Sequence, residues 1–300
     1  MQTHRTFSVV VGSLACNARC PFCVARMTPT FGLSNKKSEI DWVAFERACR
    51  MAKNGNAETV MLTGNGEPTL FPQQITQYLS ALAPFGFSNI ELQTNGIPIA
   101  EGKLVGLSDL RQWRASGLNL IAISVAHFEA EKNRQIFLPH RKNYIDLPAL
   151  IDTLNVIGFR VRLTCIMARG YIDSVEELQN FACFARQHSV EQLTFTPVNM
   201  SAESRDREAL AWTMAHHLSV RQVSEIEVYL NRAGKLCKVM PHGAKVFNLD
   251  GQNICLSNCL TRDEEDSEQH RNLIFFPNGT LTTDWQDESK VVVQTEQSRP

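Results

Sequence analysis

The chain has 300 residues, a hydrophobic fraction of 43% and a formal net charge of −1. This length is enough for one large α/β domain or two smaller ones, and the composition is that of a globular protein with a sizeable core. The near-neutral charge gives no electrostatic sign of a nucleic-acid or membrane-surface partner, and no apolar stretch is long enough to span a bilayer. We therefore expect no membrane partner, and we disfavour nucleic acid as a substrate.

The first predicted element is a β-strand over FSVVVGSL, residues 7–14. The N-terminal stretch also resembles a secretory signal peptide that ends at Cys16, but its apolar run is short and is interrupted by Ser8, Gly12 and Ser13. We interpret it as a strand and predict a cytoplasmic protein. Nine cysteines in such a chain indicate reduced thiols that serve in metal binding or catalysis rather than in disulfides.

Strand-like and helix-like segments alternate along the following residues. The predicted strands are 57–63, 89–94, 118–125, 159–167 and 191–198, and the predicted helices are 41–53, 73–83, 103–114, 146–157 and 174–187. Asp173 or Ser174, followed by Glu177, caps the last of these helices. Such alternation predicts a parallel sheet with right-handed crossovers, and six strands of this kind indicate a barrel or part of one.

The predicted strands have one apolar and one polar face. The fifth strand, for example, alternates Val161, Leu163 and Cys165 with Arg162 and Thr164. Parallel strands that are covered on both faces are instead continuous apolar runs, and a closed barrel is filled with branched aliphatic side chains. The polar face therefore predicts an open lumen that holds a polar ligand, with a half-exposed antiparallel sheet as the alternative.

Residues 201–300 have a different pattern. Two helical stretches, 203–218 and 219–234, precede a region with Gly, Asn and Cys, and NLIFFPNGTLTTDW then predicts a hairpin that turns at Asn278 and Gly279. We predict two domains, a barrel over 1–200 and a C-terminal α+β extension over 201–300 that covers the barrel.

Cys16, Cys20 and Cys23 form a C-x3-C-x2-C motif directly after the first strand. Structural zinc sites usually have four ligands, and ordinary iron–sulfur clusters take four cysteines, whereas no further His or Cys lies near these three thiolates in the sequence. A [4Fe–4S] cluster on three cysteines would leave one iron open to a small-molecule ligand. The motif therefore indicates either an iron–sulfur loop or a zinc site.

The spacing of these cysteines, with Phe22 as the aromatic residue before the last one, resembles the signature of the radical SAM superfamily. GNGEP, residues 64–68, is similar to the superfamily's Gly-Gly-Glu-Pro motif, with Asn65 in place of the second glycine. The resemblance covers about residues 1–200 and implies a partial (β/α)6 TIM-like barrel with parallel strands. It also implies that the three cysteines ligate a [4Fe–4S] cluster whose open iron binds S-adenosylmethionine.

The resemblance further implies which residues bind the cofactor. In the superfamily the exposed backbone and the Glu of the motif hold the methionine amino group, in keeping with the affinity of a carboxylate for an ammonium and the close approach that glycine allows. Side chains on the following strands touch the ribose or the methionine. The expected cofactor-binding residues are Phe22, Gly64, Asn65, Gly66, Glu67, Asn95, Ser124 and Arg162.

The implied reaction is reductive cleavage of S-adenosylmethionine to methionine and a 5′-deoxyadenosyl radical, which removes a hydrogen atom from the substrate. We predict a small-molecule or peptide substrate and an electron donor such as flavodoxin or ferredoxin. The alternatives are an RNA-modifying or protein-activating radical SAM enzyme and a non-catalytic Fe–S or zinc-binding protein. Four residues that follow predicted strands are candidates for substrate contact or for solvated loop positions: His127, Arg169, Tyr171 and Asn199.

The C-terminal cysteines raise the question of a second cluster. CLSNC, residues 255–259, resembles part of the C-terminal extension of several radical SAM families, in which such a pair and a cysteine after the hairpin turn bind an auxiliary cluster. Here the positions after the turn are Leu281, Thr282, Thr283 and Asp284. Cys237, Cys255 and Cys259, with His242, could still form a cluster or zinc site. Because three thiolates are fewer than most closed sites use, we predict a single cluster.

Overall fold

The structure is a computed structural model that describes residues 3–36, 38–199, 206–240, 242–257 and 269–293. It divides into two compact units, each made of segments that are separate in the sequence. Unit 1 contains Met1–Asn17, Thr28–Ile121 and Arg262–Pro300, and unit 2 contains Ala18–Met27 and Ala122–Thr261. The division between the units therefore falls inside the cysteine motif.

The described residues form twelve strands and ten α-helices. In chain order the strands are β1 (Thr3–Val10), β2 (Thr59–Thr63), β3 (Asn89–Thr94), β4 (Leu120–Val125), β5 (Arg160–Met167), β6 (Gln192–Pro197), β7 (Lys235–Val239), β8 (Lys245–Leu249), β9 (Gln252–Leu256), β10 (Gln269–Phe275), β11 (Leu281–Thr282) and β12 (Val291–Val293). The helices are α1 (Val24–Met27), α2 (Trp42–Asn54), α3 (Pro72–Leu82), α4 (Ile97–Glu101), α5 (Leu107–Ala115), α6 (Ala130–Phe137), α7 (Leu147–Ile157), α8 (Val175–Gln187), α9 (Arg207–His216) and α10 (Val220–Ala233).

Unit 1 is built on a mostly parallel sheet in the order β12-β11-β10-β1-β2-β3. β1 is parallel to both β10 and β2, and β2 is parallel to β3, whereas β11 pairs antiparallel with β10 and β12. The register joins Val10 to Thr63, and Leu62 to Leu92. Because parallel strands end at the same edge of a sheet, the segments after β1, β2 and β3 all begin at one edge of unit 1.

The core of unit 1 contains an aromatic cluster around Phe45 of α2. The Phe45 ring centroid lies 6.2 Å from that of Phe7 on β1, 5.0 Å from that of Tyr78 on α3 and 5.1 Å from that of Phe275 on β10. Asp41 fixes the start of α2, since its Oδ1 accepts a hydrogen bond of 2.9 Å from the Ala44 N–H. These contacts pack two helices against the central strands of the unit.

Unit 2 has strands in the order β5-β6-β9-β8-β7. β6 is parallel to β5 and β9, and the β9-β8-β7 segment is antiparallel. Ser174 caps α8 by accepting a hydrogen bond of 3.2 Å from the Glu177 N–H, as the sequence predicts. Phe181 of α8 packs on Phe195 of β6 with ring centroids 5.7 Å apart, which places this helix on the sheet.

The predicted fold class, an α/β protein with mostly parallel strands, is confirmed. Each of the six N-terminal strands and each of the five helices between them is present, and β10 and β11 form the predicted hairpin around Asn278 and Gly279. β1 ends at Val10 rather than at residue 14, because Gly12 takes a positive φ of 83° and turns the chain. The predicted boundary between 200 and 201, and a covering role for the extension, remain predictions.

The structure also resolves how the 201–300 region contributes to the fold. α9, α10, β7, β8 and β9 belong to unit 2, whereas β10, β11 and β12 belong to unit 1. None of the helices in the described residues is long and apolar enough to cross a membrane.

Candidate functional site

The cysteine loop follows β1 and carries the three thiols of the predicted cluster. Cys16 is exposed, Cys20 and Cys23 are half-buried, and none of them is in a disulfide. The Cys23 N–H donates a hydrogen bond of 3.3 Å to the Cys20 carbonyl oxygen, which forms a turn before α1. In the parts of the chain that the structure describes, no three His, Cys, Asp or Glu side chains are grouped closely enough to hold a metal ion. The cluster prediction therefore rests on the spacing of the cysteines and on their chemistry.

A sharp bend at Gly12 sets the direction of this loop. The Phe71 ring occupies the space where a Cβ at this position would lie, and the positive φ of Gly12 is itself unfavourable for other residues. The Gly12 N–H donates a hydrogen bond of 2.8 Å to Gln74 Oε1 of α3. The start of the cysteine loop is thus fixed by the segment that follows β2.

GNGEP follows β2 and packs against the backbone of the same loop. The Glu67 N–H donates a hydrogen bond of 2.9 Å to the Ala15 carbonyl oxygen. A Cβ at Gly66 would overlap this oxygen and would lie 2.6 Å from the Ser13 carbonyl oxygen. Only glycine therefore allows the motif to approach the loop this closely.

The Glu67 carboxylate is buried and accepts hydrogen bonds at both oxygens. Oε1 accepts from the Thr69 N–H at 2.9 Å, from the Thr69 hydroxyl at 2.5 Å and from the Thr94 hydroxyl at 2.5 Å, while Oε2 accepts from the Asn95 N–H at 2.8 Å. Burial raises the pKa of Glu67, and the hydrogen bonds from Asn95, Thr69 and Thr94 act in the opposite direction. The carboxylate thus holds the end of β3 against the start of the segment after β2.

Asn95 extends this network to the cysteine loop. Its Nδ2 donates a hydrogen bond of 2.7 Å to Asn17 Oδ1, and its Oδ1 accepts one of 3.0 Å from the Ile97 N–H. Asn17 is the residue after Cys16. A continuous set of hydrogen bonds therefore runs from Glu67 through Asn95 to the cysteine motif, within unit 1.

Asn65, the residue that departs from the superfamily pattern, has a buried acceptor with no partner. Its side-chain oxygen Oδ1 is inaccessible to solvent and accepts no hydrogen bond in the structure. Buried polar atoms in folded proteins nearly always have a partner, so this oxygen has unused hydrogen-bonding capacity. An amide oxygen is a suitable acceptor for an ammonium or a hydroxyl group.

Unit 2 contains the second half of the cysteine loop, which contacts α6 and α9. The Phe22 ring lies 6.4 Å from Phe137 in an edge-on arrangement and 5.4 Å from Trp212. Arg26 Nε donates to Asp206 Oδ2 at 2.6 Å, and Arg26 Nη2 donates to Glu208 Oε2 at 3.2 Å. The aromatic and ionic contacts of α9 thus hold this half of the loop.

Ser124 and Arg162 lie on β4 and β5 of unit 2, and both are half-buried. Arg162 is in register with Gln192 of β6, whose Nε2 donates a hydrogen bond of 2.8 Å to Asn253 Oδ1 of β9. The neighbouring apolar positions of β5 are fully buried. Unit 2 therefore has a polar row across three strands, in agreement with the predicted polar face.

His127, after β4, has a fully buried side chain. Its Nδ1 accepts a hydrogen bond of 2.9 Å from the Glu129 N–H, and its Nε2 lies 3.1 Å from Glu177 Oε2. Burial lowers the pKa of His127, as does Lys132, while Glu177 and Glu129 raise it. The interpretation of His127 as a solvated loop residue is wrong, because this side chain joins the β4 end to the first turn of α8.

Sequence reasoning missed three residues of the network around Glu67. Asn17, Thr69 and Thr94 each donate to or accept from a predicted site residue. Their positions carried a signal, because Asn17 lies inside the cysteine motif, Thr69 follows Glu67 by two residues and Thr94 precedes Asn95.

The C-terminal cysteines are placed only in part. Cys237 is exposed on β7 and Cys255 is half-buried on β9, with β8 lying between the two strands. Neighbouring strands are about 4.8 Å apart, so the backbones of β7 and β9 are separated by about 10 Å. Cys259 lies outside the described residues. The prediction of a single cluster stays a prediction.

Similarity to known proteins agrees with the motifs. The sequence profile of the radical SAM superfamily matches residues 10–182. A GTP 3′,8-cyclase of Cronobacter sakazakii is 26% identical over 192 residues, which are 64% of this chain and 54% of that protein. The chain thus spans about half the length of this curated relative.

Solved structures share the fold at low sequence identity. Streptococcus suis SuiB bound to its precursor peptide SuiA gives a TM-score of 0.60 at 17% identity, over 94% of this chain and 59% of that one. Native anSMEcpe with bound AdoMet gives a TM-score of 0.56 at 10% identity, over 98% of this chain and 80% of that one. Because the superfamily profile covers more than half of the sequence, the chain belongs to the radical SAM superfamily.

Proposed function

We propose that Cys16, Cys20 and Cys23 bind a [4Fe–4S] cluster and that the chain acts on a small-molecule or peptide substrate. Members of the superfamily are enzymes that use such a cluster together with S-adenosylmethionine. The observation that carries the proposal is the set of hydrogen bonds from Glu67 through Asn95 to Asn17. It connects GNGEP, the end of β3 and the cysteine motif, which are the three segments that the superfamily uses for its cofactors.

The donor set of the loop fits the cluster. Three thiols that form no disulfide lie within eight residues and are suitable iron ligands, and three ligands leave one iron of a [4Fe–4S] cluster open. When bound, the cluster and S-adenosylmethionine supply a 5′-deoxyadenosyl radical that abstracts hydrogen from the substrate. Phe22, between Cys20 and Cys23, packs on Phe137 and Trp212, which shields this part of the loop from water.

The residues around GNGEP fit the methionine end of S-adenosylmethionine. Asn65 provides a buried amide oxygen without a partner, which suits the amino group. The Glu67 carboxylate accepts hydrogen bonds from Thr69 and Asn95, so it holds the motif in place. Its negative charge also lies close to the site proposed for the methionine amino group. The proposed cofactor-binding residues are Phe22, Gly64, Asn65, Gly66, Glu67, Asn95, Ser124 and Arg162.

The relatives support two substrate classes. One is a GTP cyclase and another is bound to a precursor peptide, so a nucleotide-like small molecule and a peptide both have a precedent among proteins similar to this chain. We also propose an electron donor such as flavodoxin or ferredoxin, and a cytoplasmic location, since the cluster needs a reductant and reduced thiols. A structural Fe–S or zinc protein would have no use for GNGEP beside the loop.

Anaerobic reconstitution with iron and sulfide, followed by dithionite and S-adenosylmethionine, tests the proposal. Formation of 5′-deoxyadenosine is measured, first without substrate and then with fractionated metabolites and peptides. Replacing Cys16, Cys20 and Cys23 together with Ala should abolish both the chromophore and 5′-deoxyadenosine. Cys183→Ala serves as the control, because Cys183 is an exposed free thiol on α8. Cofactor cleavage by the triple variant at the wild-type rate would overturn the proposal.

A further inference from the structure

The Tyr144 hydroxyl is a buried polar group without a hydrogen-bond partner. Its oxygen is inaccessible to solvent, and no protein atom lies in hydrogen-bonding position to it. Tyr144 lies just before α7, whose cap is Asp146, so the position of its backbone is fixed by the helix start. A buried hydroxyl that lacks a partner is unfavourable.

The Tyr144 ring packs on a residue that contacts the cysteine loop. The Arg19 N–H donates a hydrogen bond of 3.0 Å to the Phe137 carbonyl oxygen, and the Phe137 ring packs both on Phe22 and, at 6.3 Å, on Tyr144. Cys20 lies between Arg19 and Phe22 in the sequence. Burial raises the pKa of Tyr144, and the charge of Cys20 adds to this effect.

We propose that Tyr144 donates a hydrogen bond from its hydroxyl to the sulfur of Cys20 when Cys20 is a ligand of the cluster. The inference rests on the proposed function, because it assigns the acceptor to a cluster-bound thiolate. A free thiol is a weak acceptor, whereas a thiolate carries negative charge and accepts a strong, charge-assisted hydrogen bond. Ionisation of Cys20 on binding iron would thus offer the buried hydroxyl a strong acceptor.

The role of such a hydrogen bond follows from the charge of the cluster. Reduction adds an electron, so the sulfurs of the reduced cluster are more negative than those of the oxidised cluster. A hydrogen-bond donor therefore stabilises the reduced cluster more than the oxidised one. Hydrogen bonds to cluster sulfurs accordingly raise the reduction potential. A neutral phenol is a donor at physiological pH. Tyr144 is thus a positioning residue that sets how readily the cluster accepts an electron.

The test compares reconstituted wild type with Tyr144→Phe, which removes only the hydroxyl. Redox titration followed by electron paramagnetic resonance should show a more negative potential for the variant at unchanged iron content. Tyr229→Phe is the matched control, because the Tyr229 hydroxyl accepts from Gln179 on the surface of α10 and its loss should leave the potential unchanged. Equal potentials for wild type and Tyr144→Phe would overturn the inference while leaving the cluster, and hence the proposed function, intact.

A second measurement detects the hydrogen bond itself rather than the reduction potential. Resonance Raman spectra of wild type in H2O and D2O should differ in the Fe–S(Cys) stretching region, because deuteration of the hydroxyl changes its hydrogen bond to sulfur. Absence of an isotope shift beyond that of the Tyr144→Phe protein would contradict the proposal. A wild-type protein that takes up no iron on Cys16, Cys20 and Cys23 would overturn the proposed function and this inference together.

Discussion

Asn95 and Asn17 are joined by a hydrogen bond of 2.7 Å from the Nδ2 of Asn95 to the Oδ1 of Asn17. Asn95 directly follows β3, whereas Asn17 lies between the first two cysteines of the motif. Because the Asn95 N–H also donates to Glu67, one residue joins the loop after β1 to the loop after β2. The position of Asn17, and with it the neighbouring Cys16, therefore depends on Asn95.

Asn95→Ala removes the bond to Asn17 and the bond from the Ile97 N–H to Asn95 Oδ1. We expect the free energy of unfolding to fall by about 1–3 kcal/mol and iron to leave the reconstituted protein faster in the presence of a chelator. Chelator-induced bleaching of the chromophore measures the second effect. Asn119→Ala is the control, because it removes a bond to the Ser88 carbonyl oxygen elsewhere in unit 1. Equal bleaching rates in the three proteins would contradict the role of Asn95.

Gly66→Ala tests the close approach of GNGEP to the cysteine loop. The added methyl group would overlap the Ala15 carbonyl oxygen, so the two segments must separate. We expect a loss of stability of about 1–3 kcal/mol, as for overpacking, and reduced cluster incorporation. Gly106→Ala, where the nearest atom to a Cβ is 3.6 Å away, should cost less than about 1 kcal/mol. Thermal unfolding measures the stability of each variant, and iron content measures its cluster incorporation. A Gly66→Ala protein as stable as Gly106→Ala would show that GNGEP and the cysteine loop are not in contact.

The sequence predicts most of the fold but only part of the candidate site. Periodicity alone predicts β1–β6 and the helices α2, α3, α5, α7 and α8, because each is a local pattern of apolar and polar residues, but it does not predict the short helices α1, α4 and α6. β7 is a strand of five exposed residues that pairs with β8, and no local pattern in its sequence predicts it. Glu67 and Asn95 are recognisable from their motifs, whereas Asn17 and Tyr144 acquire roles only through neighbours that are distant in the sequence.

Asp206 gives a prediction of pH dependence. The hydrogen bond from the Ala209 N–H and the bond and charge of Arg26 lower the pKa of Asp206, against the effect of burial. A carboxyl with a lowered folded-state pKa stabilises the protein above its unfolded pKa of about 4, and this stabilisation is lost as the pH falls through the lower, folded value. Acidification through this window should therefore loosen the contact of α9 with Arg26.

Asp206→Asn removes the negative charge but keeps the N-cap hydrogen bond, because Asn caps helices as well as Asp does. It therefore measures the ion pair with Arg26 alone. We expect it to cost about 0.2–1 kcal/mol at neutral pH, the range of an exposed ion pair, and to differ less from wild type as the pH falls below 4. Asp206→Ala loses the cap as well and should cost about 1 kcal/mol more. Urea unfolding between pH 3 and 7 measures the differences. A cost for Asp206→Asn that is independent of pH would refute the ionic role.

Arg162→Ala tests the cofactor proposal on unit 2. If Arg162 pairs with the methionine carboxylate, its loss should weaken binding of S-adenosylmethionine by about tenfold or more, the equivalent of one charge-assisted hydrogen bond. Iron content should stay unchanged. Arg160→Ala is the matched control, since Arg160 lies two residues away on β5 and pairs with Glu191 on the surface. Calorimetry under anaerobic conditions measures the affinity of each variant for S-adenosylmethionine. If Arg162→Ala and Arg160→Ala bind it equally well, Arg162 is not part of the cofactor site.

Metal analysis of the reconstituted protein tests the prediction of a single cluster. About four irons per chain and no zinc would agree with a cluster on Cys16, Cys20 and Cys23 alone. About eight irons, falling to about four when Cys255 and Cys259 are both replaced by Ala, would show a second cluster in the C-terminal region. Stoichiometric zinc that is lost in the same double variant would instead show a zinc site there.

The pairing of β10 with β1 has a consequence for biosynthesis. Thr3 is in register with Gln269, so one edge of β1 stays unpaired during translation until β10 has been made. At usual rates of translation this interval is roughly 10–60 s. An unpaired strand edge is prone to aggregation, and long-range pairing is slow. Unit 1 therefore completes its sheet only after β10 has been synthesised, whereas the cysteine loop that follows β1 is made long before that strand.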